Sequence, residues 1–216
     1  MYLPCHFTLD DPLALQATMH AQPFATLVTI TNAGLTVDHL PLLFDPNDAE
    51  HGVLRGHIAR ANPLWREDIL EALAIFHGPQ HYITPAWYPA KREHGRVVPT
   101  WNYLVVHARG RLAFIEDPGW LKAHVAALAV CFEKHRAQPW SIADAPQEYI
   151  DGMCRGIIGL ELTITGLTGK HKASQHRDEG ERTAIYAGLQ EEYGLDADDA
   201  ATLIGLYPLN EKEISE

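Results

Sequence analysis

The sequence predicts an α+β, predominantly β fold, an antiparallel β-barrel with helices packed around it. Three observations carry that reading. Several short apolar or alternating runs are joined by tight turns rich in Gly, Asn and Asp, which suits strands that pair with their neighbours in sequence. Strands do not alternate regularly with helices, so a doubly wound sheet is not expected. Neither GxGxxG nor GxxxxGK(S/T) occurs, so the usual phosphate-cradling loops are missing.

The elements follow in order. Asp10 is placed to cap a first helix, with Pro12 in its opening turn and Leu13, Leu15 and Met19 available for packing. "FATLVTI" (24–30) is a buried strand, "TNAG" (31–34) a turn, and "LTVDHLPLLF" (35–44) the returning strand of a hairpin. A polar loop over 45–52 leads to a third strand, "VLRGHI" (53–58), which the chain leaves through a turn at 59–65. "ILEALAIFHG" (69–78) is a fourth strand, and 96–115 carries one or two more around Gly110. Asp117 can cap a helix over 118–136, where Leu121, Val125, Leu128 and Phe132 recur at helical spacing. A shorter helix over 146–156 follows. In the strand 157–167, Leu160, Leu162 and Ile164 face one way and Glu161, Thr163 and Thr165 the other. A helix from about Arg182 to Tyr193 and a short one near 197–206 complete the pattern.

Composition narrows the function classes. The formal net charge is −11, which opposes direct DNA binding, because phosphate recognition draws on Lys and Arg. No apolar run is long enough to cross a bilayer, and the N-terminus lacks a basic-then-apolar secretory pattern. Cys5, Cys131 and Cys154 are odd in number and show no CxxC spacing, which favours reduced thiols in a cytoplasm. Thirteen histidines raise a metal question. In "HGPQH" (77–81), however, Gly78 and Pro79 forbid the helix that presents an i, i+4 pair, and no other spacing fits a zinc site, so no metal is expected.

Four polar stretches fall where sheet ends or turns should lie: "GHIARANP" (56–63), "GPQHYITPAWY" (78–88), "VVPTWNY" (97–103) and "GKHKASQHR" (169–177). They supply cations for a phosphate, hydroxyls and carboxamides for a ring edge, and aromatic faces for a flat ring. Lys170 and Lys172 alternate on one side of an extended chain. Each stretch also has a structural reading: Trp87, Tyr88 and Trp101 as core, Arg60 as an ion-pair partner, the two lysines as a solvated turn.

These stretches, in this order, resemble the FMN-binding split-barrel family typified by the PaiB negative transcriptional regulators. The resemblance starts at "MYLPCHF", passes through "HLPLL" (39–43) and "GHIARANPLW" (56–65), and ends at "GLTGKHKASQHR" (166–177) with the following helix. It implies a six-stranded antiparallel split β-barrel with surrounding helices and a helical C-terminal segment, similar to pyridoxamine-phosphate-oxidase-like flavoproteins. It implies an FMN-binding domain over 1–177 and a helical extension over 178–216 packed on it. It also implies a homodimer whose flavin lies at the subunit interface. Carried over residue by residue, the cofactor-binding candidates are His57, Arg60, Asn62, Tyr82, Thr84, Trp101, Asn102, Lys172, Gln175 and Arg177; no catalytic residue is assigned. The phosphate is expected at His57, Arg60 and Asn62, and Pro99–Asn102 is expected in the pocket wall, with Trp101 shared between core packing and the ligand or dimer contact. The chain departs from the family pattern at His81, Thr84 and His176. The function implied is regulation through a flavin or another small phosphorylated ligand. A flavin-dependent oxidoreductase and a haem- or metal-binding split barrel are the alternatives.

Overall fold

The structure is a computed structural model that describes residues 1–206. Residues 207–216, the end of the extension expected over 178–216, lie outside the described residues. The chain forms two compact units. One comprises Met1–Gln22, Phe76–His107 and the chain from Leu167 onward; the other comprises Pro23–Ile75 and Ala108–Gly166.

In chain order the elements are β1 (Thr8–Leu9), α1 (Pro12–Ala21), β2 (Phe24–Thr31), β3 (Gly34–Pro41), β4 (Leu43–Asp45) and β5 (Val53–Ala59). Then come β6 (Ile69–Ile83), α2 (Pro89–Glu93), β7 (Thr100–Ile115), α3 (Pro118–Glu133) and α4 (Gln147–Arg155). The last are β8 (Ile157–Lys172), α5 (Glu179–Tyr193) and α6 (Ala197–Thr202). All the strands form one sheet in the order β3-β2-β6-β7-β8-β5-β4, with β1 paired to β8. The pairs β2–β3, β2–β6, β4–β5 and β5–β8 are antiparallel.

The fold is thus predominantly antiparallel β with helices, as expected, but among the described residues the sheet has eight strands and hydrogen bonds do not close it. Two local causes explain the difference from six strands. The expected strand 35–44 divides at Leu42, whose N–H leaves the ladder to donate to the Pro23 carbonyl at 2.8 Å, and Pro41 beside it has no N–H to give. The two-residue β1 adds a further rung on β8. The two ends of the sheet order, β3 and β4, are therefore one residue apart in the chain.

Other boundaries move for identifiable reasons. The first helix is capped by Asp11, not Asp10: its side chain accepts from the Leu13 N–H, and Pro12 takes the first helical position. Leu15 and Met19 are buried as expected, whereas Leu13 points outward. The strand 69–78 continues past Gly78 to Ile83, which is buried although it stands out of phase with Phe76. Within 96–115 one strand forms, β7 from Thr100, which passes Gly110 without a break. On α3 Leu121 and Leu128 are buried, but Phe132 is exposed. Asp178 starts α5 three residues earlier than Arg182, by accepting from the Glu181 N–H.

In the unit containing β2–β5, the alternation of β8 buries Ile158, Leu160, Leu162 and Ile164, each worth about 1.5–3 kcal/mol. A helical layer packs on the same unit, where Leu121 of α3 meets Ile150 and Cys154 of α4. Gly159 of β8 has no side chain because the Trp120 ring occupies that space. In the other unit a separate core joins Ile83 and Tyr88 to Ile185 and Leu189 of α5 and Leu203 after α6.

Candidate functional site

The ten sequence-expected residues fall into two groups, one in each unit. His57, Arg60 and Asn62 belong to the β5 side. His57 lies on the face of β5 that α3 covers: its ring meets His124 edge-on at 5.3 Å, and burial lowers its pKa. Arg60 spends its fork locally. Nε donates to the Arg155 carbonyl at 2.9 Å, Nη1 to Glu116 at 2.8 Å and Nη2 to the Ile157 carbonyl at 3.4 Å. Asn62 caps the 3-10 turn Pro63–Arg66 by accepting from the Leu64 N–H, and its amide donates to Asp38 at 2.8 Å. These three side chains serve three different neighbourhoods.

In the other unit, three candidates hold the backbone and a fourth an ion pair. Thr84 caps the 3-10 turn Pro85–Trp87. Gln175 accepts from the Ala173 N–H and donates to the His171 carbonyl, closing a tight turn. Asn102 is wholly buried; its amide donates to Ser174 Oγ at 3.0 Å and to the Leu203 carbonyl at 2.7 Å. Arg177 pairs with Glu181 at 2.8 Å and lies over the Tyr88 ring at 4.0 Å. His81 rests against Tyr193, and His176 against Phe7.

The remaining three, Tyr82, Trp101 and Lys172, belong to a basic and aromatic patch. Lys172, at the end of β8, donates to Thr100 Oγ1 and, at 2.7 Å, to the Trp101 carbonyl, which ties it to the start of β7. Two of its three N–H donors are used. Trp101 is 54% exposed and meets Tyr82 edge-on at 6.1 Å. Beside them Lys170 is buried, donates to the Tyr2 carbonyl at 3.0 Å, and lies over the rings of Tyr2 and Tyr103 at 5.6 and 5.5 Å. Among the described residues no carboxylate lies within ion-pair distance of either lysine. Burial lowers the Lys172 pKa, and the Lys170 charge lowers it further against the opposing pull of Tyr103. Tyr2 and Tyr103 were not among the expected site residues. The period-2 spacing of Trp101 and Tyr103 on one strand was the signal for the second; nothing in the sequence pointed to Tyr2.

Buried cations are normally paired with carboxylates. Lys170 is buried and Lys172 partly so, and neither has one, so the pair could receive an anion. The surrounding rings suit a flat aromatic group. The donor set therefore fits a phosphorylated flavin. Among the described residues no cluster of three or more His, Cys, Asp or Glu side chains could hold a metal ion. Nor is any described helix long and apolar enough to cross a membrane.

Comparison with known proteins agrees with this chemistry. The model of the family described as "Putative FMN-binding domain" matches residues 1–166. The protein named "Protease synthase and sporulation protein PAI 2" of Bacillus subtilis is 31% identical over 206 residues, covering 94% of this chain and 96% of that protein. Among solved structures, the flavocytochrome Anf3 from Azotobacter vinelandii is similar with a TM-score of 0.57 at 14% identity, covering 84% of this chain and 78% of that one. The FAD- and haem-binding protein from Mycobacterium smegmatis is similar with a TM-score of 0.56 at 14% identity, covering 84% and 80%. The two structures share the fold; the family match and the bacillar relative go further. This chain belongs to the FMN-binding family of the PaiB type, and its cofactor is a flavin.

Proposed function

We propose that the chain binds FMN on the Lys170–Lys172 patch and works as a flavin-dependent regulator of the PaiB type, without contacting DNA itself. The observation that carries the site is the pair of lysines lacking a carboxylate partner. Lys172 would hold the phosphate through its unused donor, Lys170 would add positive potential from beneath, and Trp101 and Tyr82 would cover the ring. When bound, the flavin supplies redox chemistry and a chromophore. The protein's own part is to place the ammonium groups and shield the ring. Thr100 and the Trp101 carbonyl fix Lys172 before any ligand arrives, which lowers the entropy cost of binding. The net charge of −11 supports an indirect regulatory role.

The homodimer belongs to the same reading. In the β2–β3 hairpin Ile30 stands opposite Leu35 and Val28 opposite Val37, on the face away from the core. Phe24, Leu35 and Val37 are 66%, 66% and 46% exposed. An apolar face of this kind marks an interaction surface, and a second copy of the chain is its proposed occupant. Sedimentation should show a dimer at micromolar concentration and a monomer for Val37→Glu; a monomeric parent protein overturns this part.

The flavin site is tested by titrating FMN and riboflavin, which differ by the phosphate. FMN should bind at least about tenfold tighter, and Lys172→Ala should remove most of that margin while leaving riboflavin affinity unchanged. Equal binding of the two ligands by the parent protein sinks the phosphate assignment. Rapid turnover of NADH or NADPH by the flavin-loaded protein would favour the oxidoreductase reading instead.

A further inference from the structure

We propose, on the basis of the flavin site above, that Lys170 is a second phosphate ligand masked by a strap, residues 1–3, and that the flavin phosphate lifts this strap. Lys170 and Lys172 stand two residues apart on β8, so their side chains leave the same face of the strand. Two residues along a strand span about 7 Å, a gap that one phosphate can bridge with one oxygen on each ammonium. Lys172 keeps an unused donor, whereas Lys170 is only 8% exposed. Tyr2 lies against it: the Tyr2 carbonyl accepts from Lys170 Nζ at 3.0 Å, and the Tyr2 ring centre is 5.6 Å from the ammonium. In this closed arrangement Lys170 acts on a ligand only through its field.

The strap is tied down weakly. From Pro4 onward the chain is fixed, because the Pro4 carbonyl accepts from the Phe7 N–H at 2.9 Å and from Thr8 Oγ1 at 3.3 Å. β1 then pairs Thr8 with Lys170 and Leu9 with Gly169. Among the described residues the bond from Lys170 is the only hydrogen bond to residues 1–3. Tyr2 itself is 83% exposed, so little buried apolar surface is lost when it swings away. The exchange favours the phosphate. Lys170 trades a neutral carbonyl for an anionic oxygen, which adds an attraction between full charges, and the freed carbonyl passes to water. Riboflavin offers Lys170 no anion and leaves the strap closed.

The test incorporates 3-fluorotyrosine and follows fluorine NMR, the Tyr2 line being the one lost in Tyr2→Phe. Saturating FMN should move that line to the shift it takes in urea-unfolded protein. Saturating riboflavin, which carries the same ring without the phosphate, should leave it in place. Tyr2→Ala, which removes the ring from over Lys170, should bind FMN about two- to fivefold tighter and riboflavin unchanged. Tyr2→Phe keeps a ring over the ammonium and should match the parent. The strap is overturned if FMN binds more tightly than riboflavin while the Tyr2 line stays put, or if Tyr2→Ala binds FMN no tighter. Equal affinity of the parent for the two flavins overturns instead the phosphate site on which the strap depends, so the two failures are told apart.

Discussion

Replacing Asn102 by alanine asks whether the polar start of β7 is a ligand wall or a structural tie. In the fold the side chain makes three bonds: to Ser174 Oγ at 3.0 Å, to the Leu203 carbonyl at 2.7 Å, and from Ser174 Oγ to Oδ1 at 3.2 Å. Because the residue is wholly buried, water does not replace them in the variant. Counting about 1 kcal/mol per lost bond and the cost of leaving the Leu203 carbonyl unpaired, the loss is about 2–4 kcal/mol. For a chain of this size, that lowers Tm by about 5–15 °C. The assay is a thermal melt by circular dichroism beside an FMN titration of the folded protein, whose affinity should stay within about twofold. Asn102→Asp adds a signature. A carboxylate cannot donate to the Leu203 carbonyl, whereas the protonated acid can, and burial raises its folded pKa above the unfolded value of about 3.9. That variant is therefore most stable below pH ~4 and loses stability as pH rises through the raised folded pKa. An unchanged Tm for Asn102→Ala together with a tenfold loss of FMN affinity would refute the structural assignment.

Two further outcomes follow from the same contacts. Arg60→Ala should lower stability by about 1–2 kcal/mol, since it removes bonds to two carbonyls and a largely exposed ion pair, and should leave FMN affinity within about twofold; a tenfold affinity loss at constant Tm returns Arg60 to the phosphate. His124 is buried, stacked on Trp120 at 5.1 Å, and its pKa is lowered to about 4 by burial first and then by the charges of His57 and Arg55. Between pH ~6.5 and ~4 the unfolded chain takes up a proton that the folded one refuses, so stability is full above ~6.5 and falls by about 3 kcal/mol towards pH 4. Denaturant unfolding across that window should show a flatter profile for His124→Phe, and an identical slope in parent and variant would contradict the burial argument.

Much of the sheet was legible because burial on one face writes itself as alternation: Leu160, Leu162 and Ile164 could be assigned to the core from spacing alone. Helix α3 was legible for the same reason and because Asp117 precedes Pro118. The break at Leu42 was not legible, since an apolar run of Leu, Pro, Leu, Leu and Phe keeps strand character on both sides of the point where the ladder stops. The site was legible as a composition and illegible as an assignment. Asn62, Thr84, Asn102 and Gln175 are the polar types that a flavin edge would need, and they are also the types that cap turns and tie backbone. Two of them, Asn62 and Thr84, stand directly before a proline, which is the cap signature and could have separated them. The lysines behaved in the opposite way. Their alternation was visible, but the lack of a carboxylate partner is a property of space, and only the fold displays it.

The order of the strands also fixes a sequence in time. β7 lies between β6 and β8, so its amides are paired on both sides, while β3 and β4 end the sheet and leave one side of each ladder open. Deuterium should therefore enter the β3 edge and the three-residue β4 early, and β7 and the adjoining part of β8 last. Thr100, Trp101, Tyr103, Lys170 and Lys172 all sit on those two late-exchanging strands. The backbone that carries the proposed flavin patch therefore belongs to the strands expected to open last.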